Sequence, residues 1–304
     1  MIVLMEQIVI SGILAMFGVI LGSFAAASVW RLRARQLVED KAAGEPVDKA
    51  EYKKLVPLTQ STVKADRSRC LHCTHPLAWY DLIPLISWIS VKGKCRYCHV
   101  SIGWFEPLME LGVAVFFVAS YLLWPHNLTD SLSIVQFIVW LASGVMLAVL
   151  FGYDLKWFLL PDSIVFPLIG ASAIFAAIDL ATTSNLTAAL TSLVGAVTIL
   201  SGLYFALWHV SKGQWIGFGD VKLGLALALL LVDWRLAFIA LFAANLIGCL
   251  IVIPGMLAKK ITRSSRIPFG PLLIVGAVLA MLCGPLLLSA YSGAIVSATM
   301  LLVG

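Results

Sequence analysis

Charged residues are scarce in this chain, and their scarcity excludes most soluble folds. Only 12% of the 304 residues are Asp, Glu, Lys or Arg, whereas 61% are hydrophobic. This composition is typical of membrane proteins, because a surface in contact with water needs many more charges. The sequence therefore excludes two large soluble domains and predicts an all-α polytopic membrane protein.

Basic residues are missing from the segment before the first apolar run, which holds Glu6 but no Lys or Arg. Because a cleaved signal peptide begins with a basic segment, we expect this run to remain in the mature protein. Apolar windows of about 20 residues predict about eight transmembrane helices. The apolar runs lie near 8–30, 108–124, 132–153, 163–182, 186–209, 215–232, 236–257 and 268–290. The tail 291–304 is predicted to extend the last helix or to lie at the membrane interface.

One long polar segment divides the chain into three predicted parts. They are a first transmembrane helix at 1–30, an insert at 31–107 and a transmembrane bundle at 108–304. The first half of the insert alternates charge sign, which is typical of a solvated helix or a flexible arm.

The basic residues predict the orientation of the chain in the membrane. If the N-terminus is outside, all of the 21 Lys and Arg residues except Arg235 fall on the cytoplasmic side. Basic residues concentrate on that side of membrane proteins, so we expect a multi-pass protein with a cytoplasmic insert. The net charge of +5 is then explained by topology, and no nucleic-acid partner is expected.

The second half of the insert contains two C-x2-C motifs, Cys70 with Cys73 and Cys95 with Cys98, separated by 21 residues. Motifs at this spacing predict a four-thiolate zinc site, because each pair presents two sulfurs from one tight turn. Two disulfides are the alternative, which a reducing cytoplasm disfavours. Four sulfurs leave zinc no open position, so a structural role is expected. Neighbouring histidines are expected to face solvent, although they could replace a cysteine ligand; they are His72, His75 and His99.

Carboxylates inside predicted spans are costly, so each needs an explanation. Asp220 follows Gly217 and Gly219 in the stretch "IGFGD". We expect a helix that begins near Trp215, with Asp220 about one turn below the cytoplasmic surface. The two glycines permit unusual backbone angles or close approach of another chain, such as a peptide substrate. A loop with Asp220 as a helix N-cap explains the motif equally well.

A second acid, Asp154, ends the third predicted span on the same side of the membrane. Two carboxylates at one depth can perform aspartyl proteolysis: one takes a proton from water while the other, protonated, polarises the carbonyl. Asp162 is the rival partner for Asp220, but its position at the start of a span is better explained by helix capping. Glu110 is expected to pair with a basic residue or to line a second site.

Taken together, five motifs resemble those of bacterial type IV prepilin peptidases, which are GxGD-type intramembrane aspartyl proteases. The motifs are "GSF", the paired cysteines, "DLKWFLLPD", "GFGDVKLG" and "IPFGP", in the family's order. The resemblance implies a protein of the bacterial inner membrane that removes the basic leader from prepilins or pseudopilins at the cytoplasmic face. It also implies catalysis by Asp154 and Asp220, zinc on the four cysteines, and N-methylation of the new terminus with S-adenosylmethionine in many members.

The sequence departs from the family at two places near the insert. Ala25 and Ala26 follow "GSF", where the family usually has Leu-Asn, and "FEPLME" replaces a common Arg-Tyr-Pro segment before a glutamate. We therefore expect proteolysis more firmly than methyl transfer. Two other classes of function stay open, a proton-coupled transporter and a catalytically silent assembly factor of a pilus or secretion machine.

Overall fold

A computed structural model describes residues 2–59, 68–125, 128–260, 262 and 267–303. These residues are almost entirely helical, and the only β-type pairs among them are two isolated bridges. The eleven α-helices are α1 Ile2–Ala42, α2 Lys49–Leu55, α3 Ile86–Ser90, α4 Phe105–Leu122, α5 Ser131–Trp157, α6 Asp162–Thr182, α7 Leu186–Val197, α8 Leu203–Ser211, α9 Phe218–Leu231, α10 Trp234–Leu257 and α11 Phe269–Val303.

The prediction of an all-α polytopic membrane protein is confirmed. Within the described residues, seven helical segments are long and apolar enough to cross a membrane. They are Leu4–Ala42, Phe105–Leu122, Ser131–Trp157, Asp162–Thr182, Leu186–Ser211, Trp234–Leu257 and Phe269–Ser292. The remaining predicted run forms α9, whose 14 residues measure about 21 Å. The tail extends the last helix, as one of the two predictions for it required.

The predicted start of α9 near Trp215 is wrong by three residues. Lys212 ends α8 in a left-handed conformation, and Gly217 is extended and forms the N-cap of α9. The helix therefore begins at Phe218, and Asp220 lies in its first turn. The argument for its depth from a 20-residue span does not hold.

The chain forms two compact units whose ranges alternate along the sequence. One unit comprises Met1–Tyr121 and Gly144–Tyr153, and the other comprises Leu122–Ser143 and Asp154–Gly304. In the first unit, α1 and α4 touch through their backbones at two glycines of α1. A Cβ on Gly18 would lie 2.6 Å from Ala114 Cα, and one on Gly22 would lie 2.6 Å from Glu110 Cα. Gly22 of the "GSF" motif thus permits close helix packing.

Glu110 pairs with no basic residue in the described part of the first unit. Its side chain is buried, with only 6% exposed, and its Oε2 atom accepts a hydrogen bond of 2.7 Å from the backbone N–H of Leu85. Leu85 precedes α3 with a φ of 57°. The carboxylate satisfies a backbone donor at this strained position, which stabilises the segment between the two cysteine motifs.

In the second unit, α9 lies in the core rather than at the surface. Eight of its 14 residues are buried. A Cβ on Gly224 would overlap the carbonyl oxygen of Leu200, which belongs to a short π-helical segment, Thr198–Gly202, between α7 and α8. The Ser201 hydroxyl donates a hydrogen bond of 3.0 Å to the carbonyl of Val221 in α9. Direct backbone contact therefore fixes α9 against this segment.

Candidate active site and cysteine cluster

Asp154 lies in the last turn of α5, in the second unit. Phe158 ends this helix in a left-handed conformation, and its N–H donates to the carbonyl of Asp154 at 2.9 Å. The Asp154 side chain is buried, with 5% exposed. Its Oδ2 atom accepts a buried hydrogen bond of 3.1 Å from the backbone N–H of Gly270.

Gly270, to which sequence reasoning gave no role, contacts the Asp154 carboxyl group. It lies in the first turn of α11, where backbone N–H groups have no partner within the helix. A Cβ at this position would lie 2.6 Å from Asp154 Oδ2, closer than any side chain tolerates. The "IPFGP" motif was the available signal, because it places a glycine beside a proline at the start of a helix.

Asp220 lies in the first turn of α9 and is half-buried. Its N–H donates to the carbonyl of Gly217 at 3.2 Å, and Gly217, not Asp220, is the N-cap. A carboxylate in this turn is stabilised by the unpaired N–H groups and the dipole of the helix. The Asp154 and Asp220 carboxyl groups lie close enough to interact electrostatically.

The two glycines of "GFGD" differ in their surroundings. Gly217 has an ordinary extended conformation, with a φ of −75° and a ψ of 151°, and is exposed. A Cβ on Gly219 would lie 3.1 Å from the side chain of Leu160, which also borders Gly270. The glycine at 219 therefore permits close packing rather than unusual backbone angles.

Asp162 is the first residue of α6 and is exposed. Pro161 is the N-cap of that helix, and Asp162 forms an ion pair with the Lys222 ammonium group. Lys222 also lies 5.3 Å from the centre of the Phe166 ring. The contacts of Asp162 explain its presence without a catalytic role.

Tyr204, in α8, is a second residue that sequence reasoning missed. Only 3% of its surface is exposed, and its hydroxyl has no hydrogen-bond partner in the described part of the chain. Its ring packs against Phe269, with 5.5 Å between the ring centres, and its hydroxyl interacts electrostatically with Asp220. A tyrosine in a run of apolar residues carries no sequence signal for such a position.

The four predicted cysteines come together in the first unit. Their sulfur atoms all lie within 4.8 Å of one another, and the Sγ atoms of Cys70 and Cys98 are 3.9 Å apart. Zinc–sulfur bonds of about 2.3 Å give a tetrahedron with edges of roughly 3.8 Å. All four thiols are free of disulfides, and the donor set therefore fits a zinc ion.

The two motifs adopt the same turn. The N–H of Cys70 donates to the carbonyl of His75 at 3.0 Å, and the N–H of Cys95 donates to the carbonyl of Val100 at 2.8 Å. Four residues after the first cysteine of each motif, Thr74 and His99 have φ values of 58° and 57°. The histidines are exposed and lie outside the sulfur cluster, as expected for residues that face solvent; they are His72, His75 and His99.

Asp81 ties the segment between the motifs to the second motif. Its carboxylate accepts hydrogen bonds of 2.9 Å from Arg96 and 2.9 Å from the Tyr97 hydroxyl. Although partial burial raises the pKa of Asp81, these hydrogen bonds outweigh it and hold the pKa below its usual range. The ionised carboxylate thereby holds the two residues that lie between Cys95 and Cys98.

Comparison with known proteins separates the chain into two matched regions. Residues 16–124 match the bacterial peptidase A24 N-terminal domain, and residues 141–253 match the type IV leader peptidase family. The chain is 30% identical to the prepilin leader peptidase/N-methyltransferase of Aeromonas hydrophila over 284 residues, covering 88% of this chain and 89% of that protein. The chain belongs to the type IV leader peptidase family. The predicted resemblance is confirmed.

Two further members of this family have similar identity. A type 4 prepilin-like proteins leader peptide-processing enzyme from Escherichia coli is 30% identical, with 86% of this chain and 89% of that protein covered. The prepilin leader peptidase/N-methyltransferase of Pseudomonas aeruginosa is 28% identical, with 88% and 89% covered. No solved structure matches the chain.

The matched regions of this leader peptidase family member contain most of the groups described above. The cysteine cluster falls in the first matched region, and Asp154 and Asp220 fall in the second. Gly270, which donates to Asp154, lies beyond both regions. With its apolar helices, membership of this family makes the chain a multi-pass protein of the bacterial inner membrane.

Proposed function

We propose that the chain is an aspartic endopeptidase that removes the basic leader from type IV prepilins or pseudopilins. The observation that carries this proposal is that Leu160 lies against both Gly219, beside Asp220, and Gly270, which donates to Asp154. The two carboxyl groups are near enough to interact electrostatically. Both residues belong to the region that matches the leader peptidase family. The relatives' names give prepilins as the substrate class.

The position of each acid within its helix indicates which one is the ionised base and which one is the protonated acid. Asp220, in the first turn of α9, is favoured as the carboxylate, whereas Asp154, in the last turn of α5, lies where the helix dipole disfavours negative charge. In our proposal, Asp220 takes a proton from water as the water oxygen attacks the peptide carbonyl, and Asp154 gives its proton to the carbonyl oxygen. Asp154 regains that proton as the C–N bond breaks, and Asp220 protonates the leaving amine.

The orientation and division of the chain belong to the same proposal. The distribution of basic residues supports an outside N-terminus and a cytoplasmic insert at 31–107. Cleavage then takes place at the cytoplasmic face, within the bundle at 108–304, where a basic leader would remain before it is cut. The bilayer and the prepilin are the partners, and Gly217 and Gly219 are proposed to shape the backbone beside the substrate.

We further propose that Cys70, Cys73, Cys95 and Cys98 hold a structural zinc ion. The small segment that carries them has few buried apolar side chains, so a metal would supply much of its folding free energy. A bound zinc ion would join the two equivalent turns. With four sulfur ligands it would have no open position for a substrate.

A second activity, N-methylation of the new pilin terminus, is supported by the relatives' names. In the first unit, Glu106 accepts a hydrogen bond of 3.0 Å from the Trp30 indole. Its other carboxylate oxygen is buried and has no hydrogen-bond partner among the described residues. Such an oxygen can accept the proton that the new terminal amino group of the pilin must lose before it is methylated. S-adenosylmethionine would supply the methyl group, and a mature pilin terminus heavier by one methyl group would be the readout.

The test of the proposed peptidase uses the purified protein in detergent with a prepilin substrate. Asp154→Asn and Asp220→Asn should each abolish cleavage, because each removes one of the two proton-transfer groups. Asp162→Asn is the matched control and should cleave like the wild type, since the contact of Asp162 within the described residues is its ion pair with Lys222.

Three results would contradict the proposal. Undiminished cleavage by either Asn variant would reject the two-acid mechanism. A wild-type protein that cleaves no prepilin would favour the assembly factor, and proton movement across vesicles that depends on Asp154 or Asp220 would favour the transporter.

A further inference from the structure

We propose that the Tyr204 hydroxyl is a catalytic hydrogen-bond donor to the carbonyl oxygen of the scissile peptide. This inference rests on the proposed peptidase activity and adds a third group to the two acids. The hydroxyl would stabilise the negative charge that develops on this oxygen while water attacks.

The first observation is an unsatisfied donor. Tyr204 is 97% buried (3% exposed), and its hydroxyl has no partner among the residues that the structure describes. Buried polar groups are nearly always hydrogen-bonded, because an unpaired one loses its interaction with water. The unpaired hydroxyl of Tyr204 is explained if a bound ligand supplies its hydrogen-bond partner.

The second observation is the position of the hydroxyl. It interacts electrostatically with Asp220, and the Tyr204 ring packs against Phe269. The next residue, Gly270, donates its N–H to Asp154. Tyr204 therefore packs on the residue that precedes Gly270, next to the Asp154 site, and lies within electrostatic range of Asp220.

The third observation is how firmly this position is held. Tyr204 is the second residue of α8, the helix that directly follows the π-helical segment Thr198–Gly202. That segment contacts α9 through Gly224 and through the hydrogen bond from Ser201 to Val221. The same contacts thus fix both Tyr204 and the helix that carries Asp220. Such π-helical turns occur frequently at functional sites.

The substrate provides the missing acceptor. A peptide bond inside a transmembrane helix can be cut only after the helix unwinds, and unwinding leaves carbonyl groups without donors in an apolar environment. An unpaired donor in the protein and an unpaired acceptor in the substrate satisfy each other. This match favours a contact with the attacked carbonyl, where the hydrogen bond strengthens as charge develops.

Tyr204→Phe tests the inference, because it removes the hydroxyl and keeps the ring that packs on Phe269. With a purified prepilin, kcat should fall by about a hundredfold to a thousandfold at unchanged KM. The melting temperature should stay the same or rise, since the variant loses only an unpaired buried hydroxyl. Tyr291→Phe is the matched control; Tyr291 is exposed, and neither kcat nor melting temperature should change.

Three outcomes would overturn the inference. The first is a wild-type kcat for Tyr204→Phe, and the second is a raised KM at unchanged kcat. The third is a lost kcat together with a lowered melting temperature, because this result would assign the hydroxyl a structural role. Asp154→Asn and Asp220→Asn are measured beside it. Cleavage by either Asn variant would reject the peptidase mechanism itself, whereas inactive Asn variants with a fully active Tyr204→Phe would reject the role of Tyr204 alone.

Discussion

The cysteine cluster and the acid site are built in opposite ways. Two short, equivalent turns form the cluster, and each turn is closed by hydrogen bonds between residues no more than five positions apart. The acid site draws on three helices, because Asp154 is in α5, Asp220 is in α9 and Gly270 is in α11. One is a local structure repeated twice, and the other depends on the packing of distant segments.

This difference has a physical consequence. The cluster lacks a large apolar core, so its stability depends on what the four sulfurs bind. The acid site lies among tightly packed helices, so its geometry depends on residues that permit close approach, such as Gly224 and Gly270. We therefore expect substitutions at the acid site to change chemistry and substitutions at the cluster to change folding.

Of the three substitutions that compare the two regions, Gly270→Ala should give the largest effect on cleavage. The new methyl group would lie 2.6 Å from Asp154 Oδ2 and would displace the carboxyl group from its hydrogen bond. A displacement of about 1 Å at a catalytic group costs roughly a hundredfold in rate, so kcat for prepilin cleavage should fall by about that factor.

Gly170→Ala is the matched control for this substitution. A Cβ on Gly170 would meet nothing within 4 Å, so kcat should equal that of the wild type. If Gly270→Ala cleaves as fast as Gly170→Ala, the position of Asp154 does not depend on the backbone of α11.

Cys95→Ser should have a smaller effect on cleavage and a large effect on zinc. Cys95 is a buried member of the sulfur cluster, and loss of one thiolate should remove most of the bound metal, as measured by elemental analysis. Limited proteolysis should then cut the segment at 68–101, while kcat falls by less than about tenfold because a four-sulfur site is structural.

Cys249→Ser is the control for Cys95→Ser. Cys249 is exposed and lies outside the cluster, so zinc content and proteolytic resistance should match the wild type. Zinc retained in full by Cys95→Ser would contradict the four-thiolate site.

Glu110→Ala should affect cleavage least and act on stability. It leaves the Leu85 N–H without its 2.7 Å acceptor, and an unpaired buried donor costs about 1–3 kcal/mol of unfolding free energy. Thermal unfolding in detergent measures this cost. Glu110→Gln keeps an acceptor oxygen and should lose less stability; equal losses in both variants would show that charge, not hydrogen bonding, matters at this position.

Sequence reasoning found the parts of the molecule that short patterns encode. The spacing of the four cysteines was enough to predict that they lie together, because each C-x2-C pair specifies its own turn. Apolar runs located the membrane helices, since length and composition decide whether a segment can cross. The carboxylates of Asp154 and Asp220 stood out because acids in apolar runs are rare.

Packing determined the features that sequence reasoning missed. The start of α9 at Phe218 follows from the left-handed Lys212 and the extended Gly217, which a 20-residue window cannot detect. Gly270 and Tyr204 acquire importance only when α11 and α8 lie beside the acids. Glu110 binds a backbone N–H rather than a cation, a partner with no signature in the sequence.

The π-helical turn at Thr198–Gly202 also limits how this chain can change length. A turn of this kind holds one more residue than an α-helical turn, so the loss of one residue here can be absorbed as the segment becomes α-helical. The loss of a second residue would rotate everything after it by about 100° about the helix axis, and Tyr204 would leave the face that packs on Phe269. The segment should therefore tolerate a deletion of one residue better than a deletion of two.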